Sequence, residues 1–151
     1  MRVTVVVVGR PRNRALADAI ADYEKRAGRY WKLDVIETKA ERGEDADMVR
    51  RAEAKRLLNR VDGRPYIACD ERGGPFNSRQ FAEMLARARE AARDSVFVIG
   101  GAFGLDREVR DRAELRMSLA PWTLPHELAR LVLVEQIYRA GTIIRGEPYH
   151  K

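Results

Sequence analysis

Residues 96–105 read VFVIGGAFGL, and residues 115–140 read LRMSLAPWTLPHELARLVLVEQIYRA. Val96 to Ile99 is a short, unbroken apolar run, the pattern of a strand covered on both faces. It ends in Gly100 and Gly101, with Gly104 three positions on. The second stretch holds another strand, Glu114 to Ala120, which runs into the loop Ala120-Pro121-Trp122-Thr123-Leu124-Pro125. Two prolines stiffen that loop. Pro125 stands where a first helical turn tolerates proline, and Thr123 is the expected cap. The next helix, Pro125 to Ala140, is apolar on nearly every side between Leu128 and Val134. A surface helix needs only one apolar stripe, so this one must be covered on two sides, by the core or by a second copy of the chain. A homodimer built partly on this helix is the expectation.

Working outward, Val3 to Val8 is a valine-rich run of the same buried kind and turns at Gly9, Pro11 and Asn13. Leu16, Ala19, Ile20, Tyr23 and Ala27 recur at three and four, which predicts an amphipathic helix from Arg14 to about Ala27. Lys32 to Thr38 alternates and reads as a strand near a sheet edge. Asp45 or Asp47 is the expected cap of a helix from Met48 to Val61. Pro65 to Cys69 is a third strand, ending in Asp70 and the flexible run ERGGPFNS. Ser78 then caps a helix to about Ala92, Ser95 to Ile99 is a strand, and Arg107 to Arg112 is a short helix. Strand and helix alternate throughout, which predicts an α/β fold: a mostly parallel sheet with helices on both faces, in one domain over residues 1–151. In such sheets ligands bind beyond the carboxyl ends of the strands. The loops after Cys69, Ile99 and Leu119 therefore qualify, with the C-terminal tail laid beside the pocket they form.

Composition narrows the function. With 45% hydrophobic and 34% charged residues the chain is neither disordered nor membrane-spanning. No apolar run approaches the roughly 18 residues that a span needs, and MRVTVVVVG reads as a strand rather than a leader. One cysteine excludes an intrachain disulfide; with two histidines besides, no metal site is expected. These features fit a cytoplasmic protein. Lys and Arg outnumber Asp and Glu by 29 to 23, which suits either a mixed solvated surface or a polyanionic partner such as RNA.

The glycine turn has spacing G-G-x-x-G, which is neither the dinucleotide fingerprint nor the phosphate loop. Taken alone it is either a tight turn or a place where a ligand meets backbone. The Pro-Trp-Thr-Leu-Pro loop is either a helix-start staple or a wall for a flat ring. Glu135 and Arg139, four apart, form an ordinary helix ion pair by default, and His126 reads as a polar helix-start residue. The tail Pro148-Tyr149-His150-Lys151 either frays or offers an aromatic ring, an imidazole and a cation to a nucleotide.

Three ordered motifs, FVIGGAFGL, MSLAPWTLPHELARLVLVEQIYRA and the terminal PYHK, closely resemble the ribosomal RNA large subunit methyltransferase H family of the SPOUT class. The Gly9 start, ERGEDAD and CDERGGPFNS extend the likeness over the chain. The resemblance implies a C-terminal trefoil knot, which sequence rules would not propose. It also implies a homodimer, S-adenosylmethionine as methyl donor, and methylation at N3 of a pseudouridine in helix 69 of 23S rRNA on the assembled ribosome. The family's cofactor contacts fall on Cys69, where relatives carry leucine, on Gly100, and on Ala120, Pro121, Trp122, Thr123, Leu124 and Pro125. Tyr149 and His150 match a terminal pair that reaches the partner subunit's active site, and Arg139 matches a position near substrate. The rival readings are a ribosome-binding factor without turnover and a nucleotide-dependent enzyme; the missing fingerprints disfavour the latter.

Overall fold

A computed structural model describes residues 1–151 as five strands and five helices in strict alternation. They are β1 (Arg2–Val8), α1 (Arg14–Ala27), β2 (Lys32–Thr38), α2 (Ala46–Val61), β3 (Ile67–Pro75), α3 (Ser78–Glu90), β4 (Ser95–Ile99), α4 (Arg107–Asp111), β5 (Leu115–Ser118) and α5 (His126–Ile144). All strand pairs are parallel, in the order β2-β1-β4-β3-β5. The expected edge position of Lys32–Thr38 is therefore found.

The valine run of β1 explains the layering. Successive side chains point to opposite faces, and both faces are covered. Val3, Val5 and Val7 join Phe97, Ile99, Leu133 and Ile137 in one core, under α1, α3 and α5. Val6 and Val8 join Val96, Val98, Leu57 and Val109 in the other, under α2 and α4. α5 packs against α1 and α3, so one chain already buries two flanks of this apolar helix.

Side chains cap the helices. Asn13 accepts from Leu16 N–H, and Asp45 accepts from Asp47 and Met48. For α3 the cap is Asn77 and not Ser78: Asn77 and Gln80 form a reciprocal capping box, while the Ser78 hydroxyl donates to Gln136 at 2.7 Å. Thr123 does not cap α5. Its hydroxyl donates to the Glu71 carboxylate, and Pro125 holds the cap position without a side-chain bond.

Two further expectations change. β3 does not end at Cys69. Cys69 and Gly74 both pair with Met117, so residues 70–73 bulge out of the sheet, and the strand resumes through Pro75. The return needs glycine, because a Cβ on Gly73 would lie 2.6 Å from the Met117 backbone. α5 also runs past Ala140 to Ile144, through a glycine that would ordinarily weaken a helix. A Cβ at Gly141 would overlap the Tyr30 ring, 2.6 Å from Tyr30 Cβ, so closeness to α1 explains its presence.

Candidate functional site

The chain runs from β3 to its neighbour β4, then crosses back past β3 to reach β5. Such a reversal opens a crevice beyond the carboxyl ends of the strands. A cavity of about 840 Å³ lies there, within the size range of small-molecule sites. The three loops singled out in the sequence all line it. Cys69, Gly100, Ala120, Trp122, Thr123, Leu124 and Pro125 are on its wall or rim, and Pro121 is not. His126, the first residue of α5, lines it as well.

Gly100 is confined. A Cβ there would lie 2.6 Å from the Gly104 carbonyl carbon, so only glycine lets the turn fold back on itself. Gly104 N–H donates to Gly101 O at 3.0 Å and takes φ +77°, in the left-handed region that favours glycine. On its other side the turn rests on Glu53 of α2, which is 3% exposed. Glu53 Oε2 accepts from Glu41 N–H at 3.2 Å, and Oε1 has no partner. Burial pushes this carboxyl above its ordinary range.

Cys69 keeps some solvent contact at the cavity while packing against the core. Burial, helped by the Asp70 charge, pushes its thiol up to about 12. It stays protonated at neutral pH and is no nucleophile. Asp70 sits 3.7 Å from the Arg110 guanidinium and accepts from Arg72 N–H at 2.9 Å. Sequence reasoning missed Asp70, Arg72, Arg110, Phe103 and Glu53. Asp70, Arg72 and Phe103 lie in the loops it had selected, so reading those loops to their ends would have found them; nothing in the sequence marked Arg110 on α4 or Glu53 on α2.

The expected catalytic residues form a second cluster. Arg139 pairs with Glu135 at 2.6 Å, and Tyr149 donates to the same Glu135 oxygen at 3.0 Å. The Tyr149 hydroxyl also lies 3.2 Å from that of Tyr23, and the Arg139 guanidinium stacks 4.7 Å from the Tyr149 ring centroid. Desolvation, reinforced by Tyr23 and Glu135, raises the Tyr149 phenol well above its ordinary value, so it remains a donor. Arg139 lies 3.3 Å from His150 Nδ1. A guanidinium cannot accept, so Nδ1 accepts, and the neutral ring carries its proton on Nε2. The tail is thus tied to α5 and does not lie beside the pocket. His126 and Arg139 are separated by about 20 Å along α5, at 1.5 Å rise per residue. One chain does not unite the two clusters.

Comparison with known proteins gives the same frame. The family model described as "Predicted SPOUT methyltransferase" matches residues 1–150. A ribosomal RNA large subunit methyltransferase H of Gemmatimonas aurantiaca is 60% identical, with 100% of both chains covered. One of the same name from Anaeromyxobacter sp. strain Fw109-5 is 50% identical, again with 100% of both covered. Among solved structures, a probable methylase family protein from Haemophilus influenzae matches with TM-score 0.60 at 12% identity, over 99% of this chain and 70% of that one. A tRNA (m1G37) methyltransferase from Aquifex aeolicus matches with TM-score 0.54 at 14% identity, over 100% and 74%. These structures share the fold.

Proposed function

The chain belongs to the SPOUT methyltransferase family, among the ribosomal RNA large subunit methyltransferases H, and on that footing we propose that it methylates large-subunit ribosomal RNA with S-adenosylmethionine. The observation that carries the reading is the confined glycine turn: Gly100 and Gly101 fold back beneath a cavity also walled by the β3 bulge and the β5–α5 loop. Backbone there is bare of side chains, and the opening suits a nucleoside-sized ligand. Cys69, Gly100, Ala120, Thr123, Leu124 and Pro125 would hold it. Cys69 serves where a neutral, apolar group is needed, since its thiol does not ionise near neutral pH.

Bound S-adenosylmethionine would supply an electrophilic methyl on a sulfonium leaving group. The residues of this chain have three tasks: to exclude water, to bring N3 of a pseudouridine in line, and to take its proton. Much of the rate would come from positioning. His150 accepts the N3 proton at Nδ1 once it leaves Arg139, which frees an Arg139 N–H for a carbonyl or phosphate oxygen of the substrate. Tyr149 donates and cannot serve as the base, its phenol being held protonated.

The separation of the clusters supports a homodimer in which the tail of one chain completes the cavity of the other. The apolar residues of α5 left half-buried, such as Leu128, Leu131 and Val132, offer a surface for that partner. Within this reading the chain is one domain, its C-terminal segment is threaded as a trefoil knot, and its substrate is helix 69 of 23S rRNA on the assembled ribosome in the cytoplasm. No helix is long and apolar enough to cross a membrane.

Titration calorimetry with S-adenosylmethionine, against NAD and ATP, tests the cofactor. Transfer of labelled methyl to ribosomes lacking the modification, with mapping of the modified base, tests the target. Ribosome binding without cofactor uptake would instead indicate a factor without turnover.

A further inference from the structure

Three large apolar side chains of this protein stand well exposed: Met48 at 67%, Phe103 at 41% and Trp122 at 73%. They belong to the first turn of α2, the turn after β4 and the loop before α5, far apart in sequence. Phe103 and Trp122 both line the cavity, and Met48 adjoins Asp47, which lines it too. Single exposed hydrophobics need no explanation, but a cluster around one opening marks an interaction site. Trp122, the most exposed of the three, projects from its loop at the rim of the cavity.

The charges on that rim identify the partner. Each carboxylate is engaged: Asp47 by Arg50, Asp70 by Arg110, Glu71 by Thr123, and Asp106 in capping Glu108 N–H. Arg72 has no ion-pair partner, and Arg107 holds only Asp111, outside the cavity lining. Arg72 is therefore the lining guanidinium without an ion-pair partner, while Glu71 and Asp106 are held only by neutral donors. Exposed aromatic faces beside a free guanidinium group suit an unpaired base and its phosphate. The apolar dimer face proposed on α5 lies elsewhere, and here arginines interrupt the apolar groups.

We propose that Trp122, with Phe103 and Arg72 on the same rim, is a stacking platform for an unpaired RNA base next to the nucleotide that enters the cavity. This rests on the reading of the chain as an RNA methyltransferase. It differs from the cofactor contact that family resemblance gives Trp122.

The second tryptophan, Trp31, is 4% exposed, so changes in tryptophan emission report chiefly on Trp122. Emission of the intact protein is expected to hold steady on dilution and on addition of S-adenosylmethionine. A shift with S-adenosylmethionine alone would make the ring a cofactor wall, and a shift with protein concentration alone would assign it to a second copy; either overturns the proposal. In cosedimentation with ribosomes, W122A should weaken binding about tenfold while W122F stays within about twofold, since either ring can stack. Calorimetry should give the same cofactor affinity for both variants. Ultraviolet crosslinking should leave a nucleotide on the peptide that contains Trp122. W122A binding ribosomes as the parent does, or adducts found only elsewhere, would refute it. Failure of the parent to bind S-adenosylmethionine would sink the transferase reading, and the ribosome arm would still decide this one.

Discussion

A Cβ on Gly101 would sit 2.7 Å from Glu53 Oε1 and 2.9 Å from Oε2, so a buried carboxyl of α2 packs directly beneath the glycine turn. Gly101→Ala must push either the turn or Glu53 aside. We expect it to weaken S-adenosylmethionine binding about tenfold or more, roughly 1.4 kcal/mol per decade, as read by calorimetry. Adding Glu53→Ala to Gly101→Ala should restore part of the affinity, because contacting positions couple. Unchanged affinity in Gly101→Ala would show that the turn does not bear on the ligand.

Glu53 also predicts a pH dependence. Burial raises its carboxyl above the ordinary value near 4.5, against the lowering effects of the Glu41 N–H and Arg56. The folded chain then keeps a proton that the unfolded chain has released, so the unfolded state binds fewer protons in this window. Stability linked to Glu53 is full below the unfolded value and falls as pH rises toward the folded one. Glu53→Gln cannot titrate. Denaturation midpoints measured from pH 4 upward should show the parent losing ground to Glu53→Gln as pH rises; parallel curves would mean that the carboxyl is not shifted.

Hydrophobic periodicity made most of the fold legible in the sequence. Val3 to Val8 and Val96 to Ile99 showed strands covered on both faces because nearly every residue is apolar, and the sheet buries both. The loops that line the cavity were legible too, since parallel strands place them at one end. The continuation of β3 past Cys69 was not. A bulge that returns to the sheet depends on Gly73 fitting against Met117 backbone, a contact distant in the chain. Serine is a good cap, which points to Ser78, but Asn77 wins through the reciprocal bond with Gln80. The family likeness supplied the tail as the expected catalytic segment, but only the fold shows that it is tied to α5 through Arg139, away from the cavity.

Gly141 is a packing residue. Within a helix, alanine would ordinarily be favoured by about 1 kcal/mol, yet a Cβ here would overlap the Tyr30 ring on α1. Overpacking typically costs about 1–3 kcal/mol. Gly141→Ala should therefore lower stability in urea titration, and Gly141→Ala with Tyr30→Ala should recover the loss in part. A stabilised Gly141→Ala would mean that the Tyr30 ring does not press on α5.

The proposed division of the site between two chains has a direct test. Gly100→Val destroys the cavity and leaves the tail intact, because a side chain there meets the Gly104 backbone. His150→Ala does the reverse, removing the imidazole while the cavity stands. Each variant alone should methylate ribosomes poorly. In a mixed dimer, the intact tail of the Gly100→Val chain meets the intact cavity of the His150→Ala chain, giving one working site. Equal mixing and random pairing of a two-fold dimer should restore about a quarter of parental activity. If tail and cavity of the same chain cooperated, every chain would lack one or the other and mixing would restore nothing. Restoration without a change in the cofactor affinity of His150→Ala would place the imidazole in the transfer step; His150→Ala turning over like the parent would remove it from that step.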